Sequence, residues 1–137
     1  GVRRTAGGVP ERDFTGLRVL LAEDDPINRK MAMIFFERLG LDVVAAVNGQ
    51  DAVEKFRTGE FQVIFMDCEM PVMDGYEATR AIRAIEKERN ATPVPVLAMT
   101  ANAMEGDKQL CLAAGMDDHV AKPFHLDELR AVINRHL

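Results

Sequence analysis

Polar and charged residues stand at the ends of four apolar runs in this chain, and their types suit one kind of chemistry. LLA (20–22) runs into three consecutive carboxylates, Glu23, Asp24 and Asp25. VIFM (63–66) ends on Asp67, VPVLAMT (94–100) ends on Thr100, and HVA (119–121) is followed by Lys122 and Pro123. A helix N-cap explains one carboxylate after a strand, because it satisfies orphan backbone N–H groups; it does not explain three. Carboxylates held together raise one another's pKa unless a cation neutralises them. Hard oxygen ligands suit Mg²⁺, which takes one or two protein carboxylates and accepts phosphate oxygens. A carboxylate beside such an ion is a nucleophile toward a phosphoryl group. That transfer needs mainly positioning and neutralisation of charge. On this reading Glu23 and Asp24 hold the metal and Asp67 takes the phosphoryl group. Lys122 offers a point charge to one oxygen, and the Thr100 hydroxyl donates to another. Each residue alone has a plain explanation as a cap or a solvated strand tip. Their recurrence at the ends of four runs does not.

The elements that must position these groups follow from periodicity. Strands are expected at RVLLA (18–22), DVVAA (42–46), VIFM (63–66), VPVLAMT (94–100) and HVA (119–121). Between them lie helical patterns: one from Pro26 to Gly40, one capped by Asn48, one from Gly75 to about Glu88, a weaker one near 105–114, and a last one carrying Leu126, Leu129 and Ile133. Strand–helix alternation with short connections argues for a parallel sheet covered on both faces. In such sheets ligands sit beyond the carboxyl ends of the strands, at the point where strand order reverses. The chemistry-bearing residues all fall on that edge.

Composition narrows the classes. The 137 residues suffice for one domain with a real core, and 47% hydrophobic with 28% charged content describes a globular chain. A net charge of −5, without a Lys/Arg stripe alternating with aromatics, argues against direct nucleic-acid binding. No apolar run reaches membrane-span length, so no membrane contact is expected of this domain. Cys68 and Cys111, far apart in sequence and without CxxC spacing, read as reduced bystanders in a cytoplasmic compartment. Residues 1–16 lack periodicity and read as a linker or leader, leaving 17–137 as the domain.

LLAEDDPINRK, MDCEMPVMDG, MTANAM and AKPF, in that order and on matching elements, resemble the receiver domains of two-component response regulators and hybrid histidine kinases. The resemblance covers Leu17 to Leu137, is closest to receivers of hybrid sensor kinases, and implies a flavodoxin-like five-stranded sheet of order 2-1-3-4-5. It also implies that Asp67 is the phosphoacceptor. Mg²⁺ would be held by Asp24, Asp67 and the backbone carbonyl of Glu69, with Glu23 acting through water. It further implies that Thr100 is a switch hydroxyl, that Lys122 binds phosphate, and that the Lys122–Pro123 peptide is cis. His119 takes the position of an aromatic switch residue, and an imidazole there can still swing inward. Asp25 stands where many relatives carry Asn and reads as a loop carboxylate or helix cap. Glu69 and Asn102 match positions that tune acyl-phosphate lifetime. The partner implied is a histidine kinase or histidine phosphotransfer domain. The reader of the phosphorylated state would be the face of the fourth helix, fifth strand and fifth helix. The isolated domain would be a self-phosphorylating switch. Its parent would be a hybrid sensor kinase, open to membrane anchoring; homodimerisation through exposed helices stays open too.

Other classes carry less. An Mg²⁺-dependent aspartyl-phosphate phosphohydrolase wants a second Asp two residues after the nucleophile, and that position is Glu69; no cap insertion follows. A flavodoxin-like cofactor binder wants a Ser/Thr/Gly-rich phosphate loop where EDDPIN stands. A partner-binding pseudo-receiver has no need for the full acidic and basic set. Of the remaining residues, Met31, Phe35, Phe56 and Leu129 read as core, and His125 and His136 as surface positions on the last helix. EKER (86–89) reads as a solvated helix end, Gly75 and Gly115 as boundary glycines, and Tyr76 as packing.

Overall fold

The computed structural model describes the backbone of residues 2–4, 10–12, 14–101 and 105–136, with side chains over 14–101 and 108–136. Two short strands, β1 (Val2–Arg4) and β2 (Pro10–Arg12), pair antiparallel. There follow β3 (Arg18–Ala22), α1 (Pro26–Arg38), β4 (Asp42–Ala46), α2 (Gly49–Thr58), β5 (Val63–Asp67), α3 (Gly75–Glu88), β6 (Val96–Thr100), α4 (Glu105–Ala114), β7 (Asp118–Ala121) and α5 (Leu126–His136). The last five strands form one parallel sheet in the order β4-β3-β5-β6-β7. Counted within that sheet, the order is 2-1-3-4-5, as expected.

Period-2 alternation divides the side chains of the buried strands between two apolar clusters. Leu20, Ala22, Ile64, Met66, Val96 and Ala98 face α2, α3 and α4. Val19, Leu21, Val63, Phe65, Leu97 and Met99 face α1 and α5. Phe14 joins the second cluster as a fully buried ring, although it lies in the stretch read as a leader. The Phe14 carbonyl accepts from Leu17 N–H at 3.1 Å, anchoring the entry to β3. Among the described residues no helix is long and apolar enough to cross a membrane.

Two side-chain expectations fail here. Met31, read as core, is 51% exposed, while α1 buries Ala32 and Phe36 instead. Apolar residues surround this helix on most sides, so spacing alone did not select the stripe that meets the sheet. The expected solvated end EKER is also wrong at its first residue, because Glu86 is 3% exposed. The segment after α3 folds back over it: Glu86 accepts from Val94 N–H at 2.7 Å and from Arg83 Nη1 at 2.8 Å. Arg83 also donates to the Val94 carbonyl at 2.8 Å, the Gly115 carbonyl at 3.0 Å and Asp117 at 2.9 Å. Asp117 in turn accepts from Val96 N–H at 2.9 Å. This clamp fixes the start of β6, the strand that ends in Thr100. Glu86→Ala is expected to cost about 2 kcal/mol in denaturant unfolding, below the ~3–5 of a fully broken buried pair because Arg83 keeps Asp117. A cost within the range of an ordinary surface substitution would restore the solvated reading.

Candidate functional site

Parallel register brings the strand ends level. Ala22 pairs with Met66 and Met66 with Ala98, so Glu23, Asp67 and the end of β6 emerge on one edge. Thr100 pairs with Ala121, and Lys122 N–H donates to the Thr100 carbonyl at 2.8 Å. A cavity of about 360 Å³ opens there, walled by Glu23, Asp24, Asp67, Glu69, Thr100 and Lys122 among others. The α3 N-terminus packs against its floor, with Gly75 N–H donating to the Cys68 carbonyl at 3.1 Å. A Cβ at Gly75 would fall on the Asp67 carbonyl oxygen, so only glycine permits that approach.

Glu23 and Asp67 are 2% and 4% exposed. Carboxylate oxygens of Glu23, Asp24 and Asp67 all lie within 4.8 Å of one another. Lys122 Nζ stands 3.1 Å from Glu23 Oε1 and 3.2 Å from Asp67 Oδ2. Two backbone donors add to this: Asp25 N–H to Glu23 Oε2 and Glu69 N–H to Asp67 Oδ1, each at 3.2 Å. Burial and the neighbouring Glu23 push Asp67 up to about 7, against the opposing pull of Lys122 and the Glu69 N–H. Burial acts to lower the Lys122 pKa, but the charges of Asp67 and Glu23 outweigh it and the pKa rises. Lys122 is therefore a fixed cation, and the site remains over-supplied with negative charge. Oxygens on opposite sides of an ion bound at ~2.0–2.1 Å stand about 4 Å apart. Three hard oxygen donors within 4.8 Å, with a net excess of negative charge, therefore fit a small divalent cation.

The set read from sequence thus converges, with two exceptions. His119 lies on β7 but lines a different cavity, beside Lys108, Cys111 and Asp118. Its Nδ1 is 3.8 Å from Asp118 Oδ1. Asn102 lies outside the described residues. Asp25 is a helix cap, accepting from Ile27 N–H at 2.9 Å, and the Lys122–Pro123 peptide is cis. Tyr76 borders the cavity as well as packing on the core. His125 precedes α5 instead of lying on it, and His136 is tied to Asp118 at 3.0 Å. Sequence reading missed Arg29, whose Nη1 donates to the carbonyls of Glu23 and Asp24 at 2.9 and 3.3 Å. Its place one turn into the helix capped by Asp25 was the available signal. It braces the acidic turn from behind, through the backbone.

A flavodoxin-like sheet with an acidic group, a buried Asp, a Thr and a Lys at its carboxyl edge defines a class of phosphoryl-accepting regulatory domains. The chain belongs to the response regulator receiver domain family, whose model matches residues 19–134. It is 39% identical over 132 residues to the sensor histidine kinase GacS of Pseudomonas protegens, covering 95% of this chain but only 14% of that protein. Among solved structures it resembles the receiver domain of the sensor histidine kinase PA1611 from Pseudomonas aeruginosa, which has a magnesium ion coordinated in its active-site cleft. Identity there is 43% and the TM-score 0.80, with 89% of this chain and 98% of that one covered. It also resembles the receiver domain of the Saccharomyces cerevisiae response regulator Ssk1, solved with the histidine phosphotransfer protein Ypd1. That match has 33% identity and a TM-score of 0.83 and covers 88% of each chain.

The raised pKa of Asp67 has a consequence for the metal-free protein. Its folded pKa of about 7 exceeds the ordinary value of 3.8, so the folded state holds this proton more tightly than the unfolded chain. The resulting stability is complete below about 4 and is lost as pH rises toward about 7. In chelator, the thermal midpoint of wild type minus that of Asp67→Asn is expected to fall from pH 5 to pH 8. A pH-independent difference would show that Asp67 titrates as an ordinary carboxylate.

Proposed function

We propose that Asp67 accepts a phosphoryl group from a phosphohistidine on a histidine kinase or histidine phosphotransfer domain, with Mg²⁺ as cofactor. The observation that carries this reading is the Asp67 carboxylate itself. It is buried beside Glu23 and Asp24, is held 3.2 Å from Lys122, and opens onto a cavity walled by Thr100.

Asp24, Asp67 and the Glu69 carbonyl would hold the cation, with Glu23 acting through water. The ion supplies neutralising charge for the acidic cluster and for the phosphoryl oxygens. The chain's own groups do the rest. Glu69 N–H fixes one Asp67 oxygen, which orients the carboxylate. An Asp67 oxygen forms the new O–P bond as the N–P bond of the donor breaks, and the electron pair leaves with the imidazole. Lys122 pairs with developing charge on one phosphoryl oxygen and the Thr100 hydroxyl donates to another. The contact with Thr100 biases a two-state surface, with His119 on β7 as the second switch position and the α4–β7–α5 face as the reader. Glu69, at the cavity rim, bears on the lifetime of the acyl phosphate. The parent protein would be a hybrid sensor kinase, of which this domain is the phosphoacceptor.

Intact mass after incubation with Mg²⁺ and acetyl phosphate tests the reading. A single labile phosphoryl adduct is expected on wild type, absent from Asp67→Asn and lost in chelator. Steady donor hydrolysis without an adduct would point instead to an aspartyl-phosphate phosphohydrolase. Because the cation needs Asp67 ionised, apparent Mg²⁺ affinity is expected to weaken by about tenfold per pH unit below about 7. Titration by calorimetry at pH 6 and pH 8 would expose a flat profile, contrary to that assignment.

A further inference from the structure

Cys68 and Cys111, 43 positions apart in the chain, have their sulfurs 3.9 Å apart. Cys68 follows the Asp67 strand end directly, and Cys111 lies on α4. Neither is in a disulfide, each is 4% exposed, and both belong to the cluster between the sheet and α2, α3 and α4. Each also reaches the wall of a cavity. Cys68 borders the acidic one of about 360 Å³, and Cys111 borders one of about 180 Å³ beside Lys108 and Leu112.

We propose that this pair is a thiol–disulfide modification site, oxidised by a small uncharged peroxide, that links the loop after Asp67 covalently to α4. The surroundings select the oxidant. The acidic wall at Cys68 repels an anionic disulfide such as glutathione disulfide, and the burial of both thiols excludes any bulky disulfide. A neutral peroxide meets neither barrier. The sulfurs must close by about 2 Å to bonding distance, a movement on the scale of a change of staggered χ1 well in one cysteine. The balance is simple. One thiol sulfur attacks the O–O bond, giving a sulfenic acid and one water. The second thiol displaces the sulfenic oxygen as a second water while the S–S bond forms. Two cysteines lose two electrons and two protons; the peroxide gains both. Burial pushes the Cys68 thiol up to about 12, which makes the site slow compared with an exposed thiol.

The consequence, unlike the site itself, rests on the proposed function. A link from Cys111 to Cys68 ties α4, part of the face read as the switch surface, to the loop beside Asp67. The oxidised domain then takes up phosphoryl groups severalfold more slowly, and reduction restores the rate.

The experiment treats the folded protein with hydrogen peroxide for hours, traps remaining thiols with an alkylating agent and maps peptides without reduction. A Cys68–Cys111 peptide in the wild-type monomer, absent from Cys111→Ser, is expected. Uptake from acetyl phosphate is then compared before and after oxidation, and after reduction. Two free thiols throughout, or only links between separate chains, would overturn the proposal. So would a disulfide that leaves uptake unchanged. Failure of the reduced wild type to take up phosphoryl groups, with the disulfide present, would overturn the link to function and, separately, the phosphoacceptor reading.

Discussion

Lys122 lies within 3.2 Å of two carboxylates that are almost completely buried, and the site rests on that contact. Glu23 and Asp67 repel each other, and burial strengthens the repulsion by removing water. One ammonium from a different strand offsets part of it; backbone N–H groups from Asp25 and Glu69 offset more. What is left over shows in Asp67, whose pKa rises to about 7. The cluster therefore keeps a surplus of negative charge that a cation would offset. A structure built only for stability would replace these charges with apolar groups of similar volume.

The rest of the fold serves to hold that cluster in register. Five parallel strands leave their carboxyl ends on one edge, so residues separated by nearly the whole chain meet there. The buried strands tolerate this because both faces are covered. At the other end of β6, Arg83, Glu86 and Asp117 form a second charged group, but every one of its members has a local partner. The contrast between the two clusters is informative. In the clamp the Arg83 guanidinium and the N–H groups of Val94 and Val96 meet both carboxylates, whereas the strand-end cluster carries surplus negative charge and opens onto a cavity.

Exposure on α1 and α4 follows from the same arrangement. Each helix needs only one stripe to cover its side of the sheet. Ala32 and Phe36 on α1, and Cys111 and Ala114 on α4, provide it. Ile27, Met31 and Ile34, and Leu110 and Leu112, are left facing outward.

The strand order followed only from the resemblance to receiver domains. The parallel pairing and the convergence of Glu23, Asp24, Asp67, Thr100 and Lys122 were legible because they depend on short apolar runs, on short connections and on which residues end those runs. These are properties of local sequence, and the parallel α/β arrangement turns them into one edge. Side-chain environments were decided elsewhere. Which stripe of α1 is buried depends on how the helix rolls against the sheet, and a helix apolar on most sides does not encode that roll. Glu86 is buried because the chain after α3 folds back across it, and Arg29 reaches the acidic turn only through helix geometry. The contact between Cys68 and Cys111 exists because α4 packs against α3 and β7, which brings Cys111 to a residue 43 positions earlier in the chain. Sequence determined which groups reach the carboxyl edge of the sheet. Only tertiary packing decided their distances, their burial and therefore their charge, since these depend on neighbours remote in the chain.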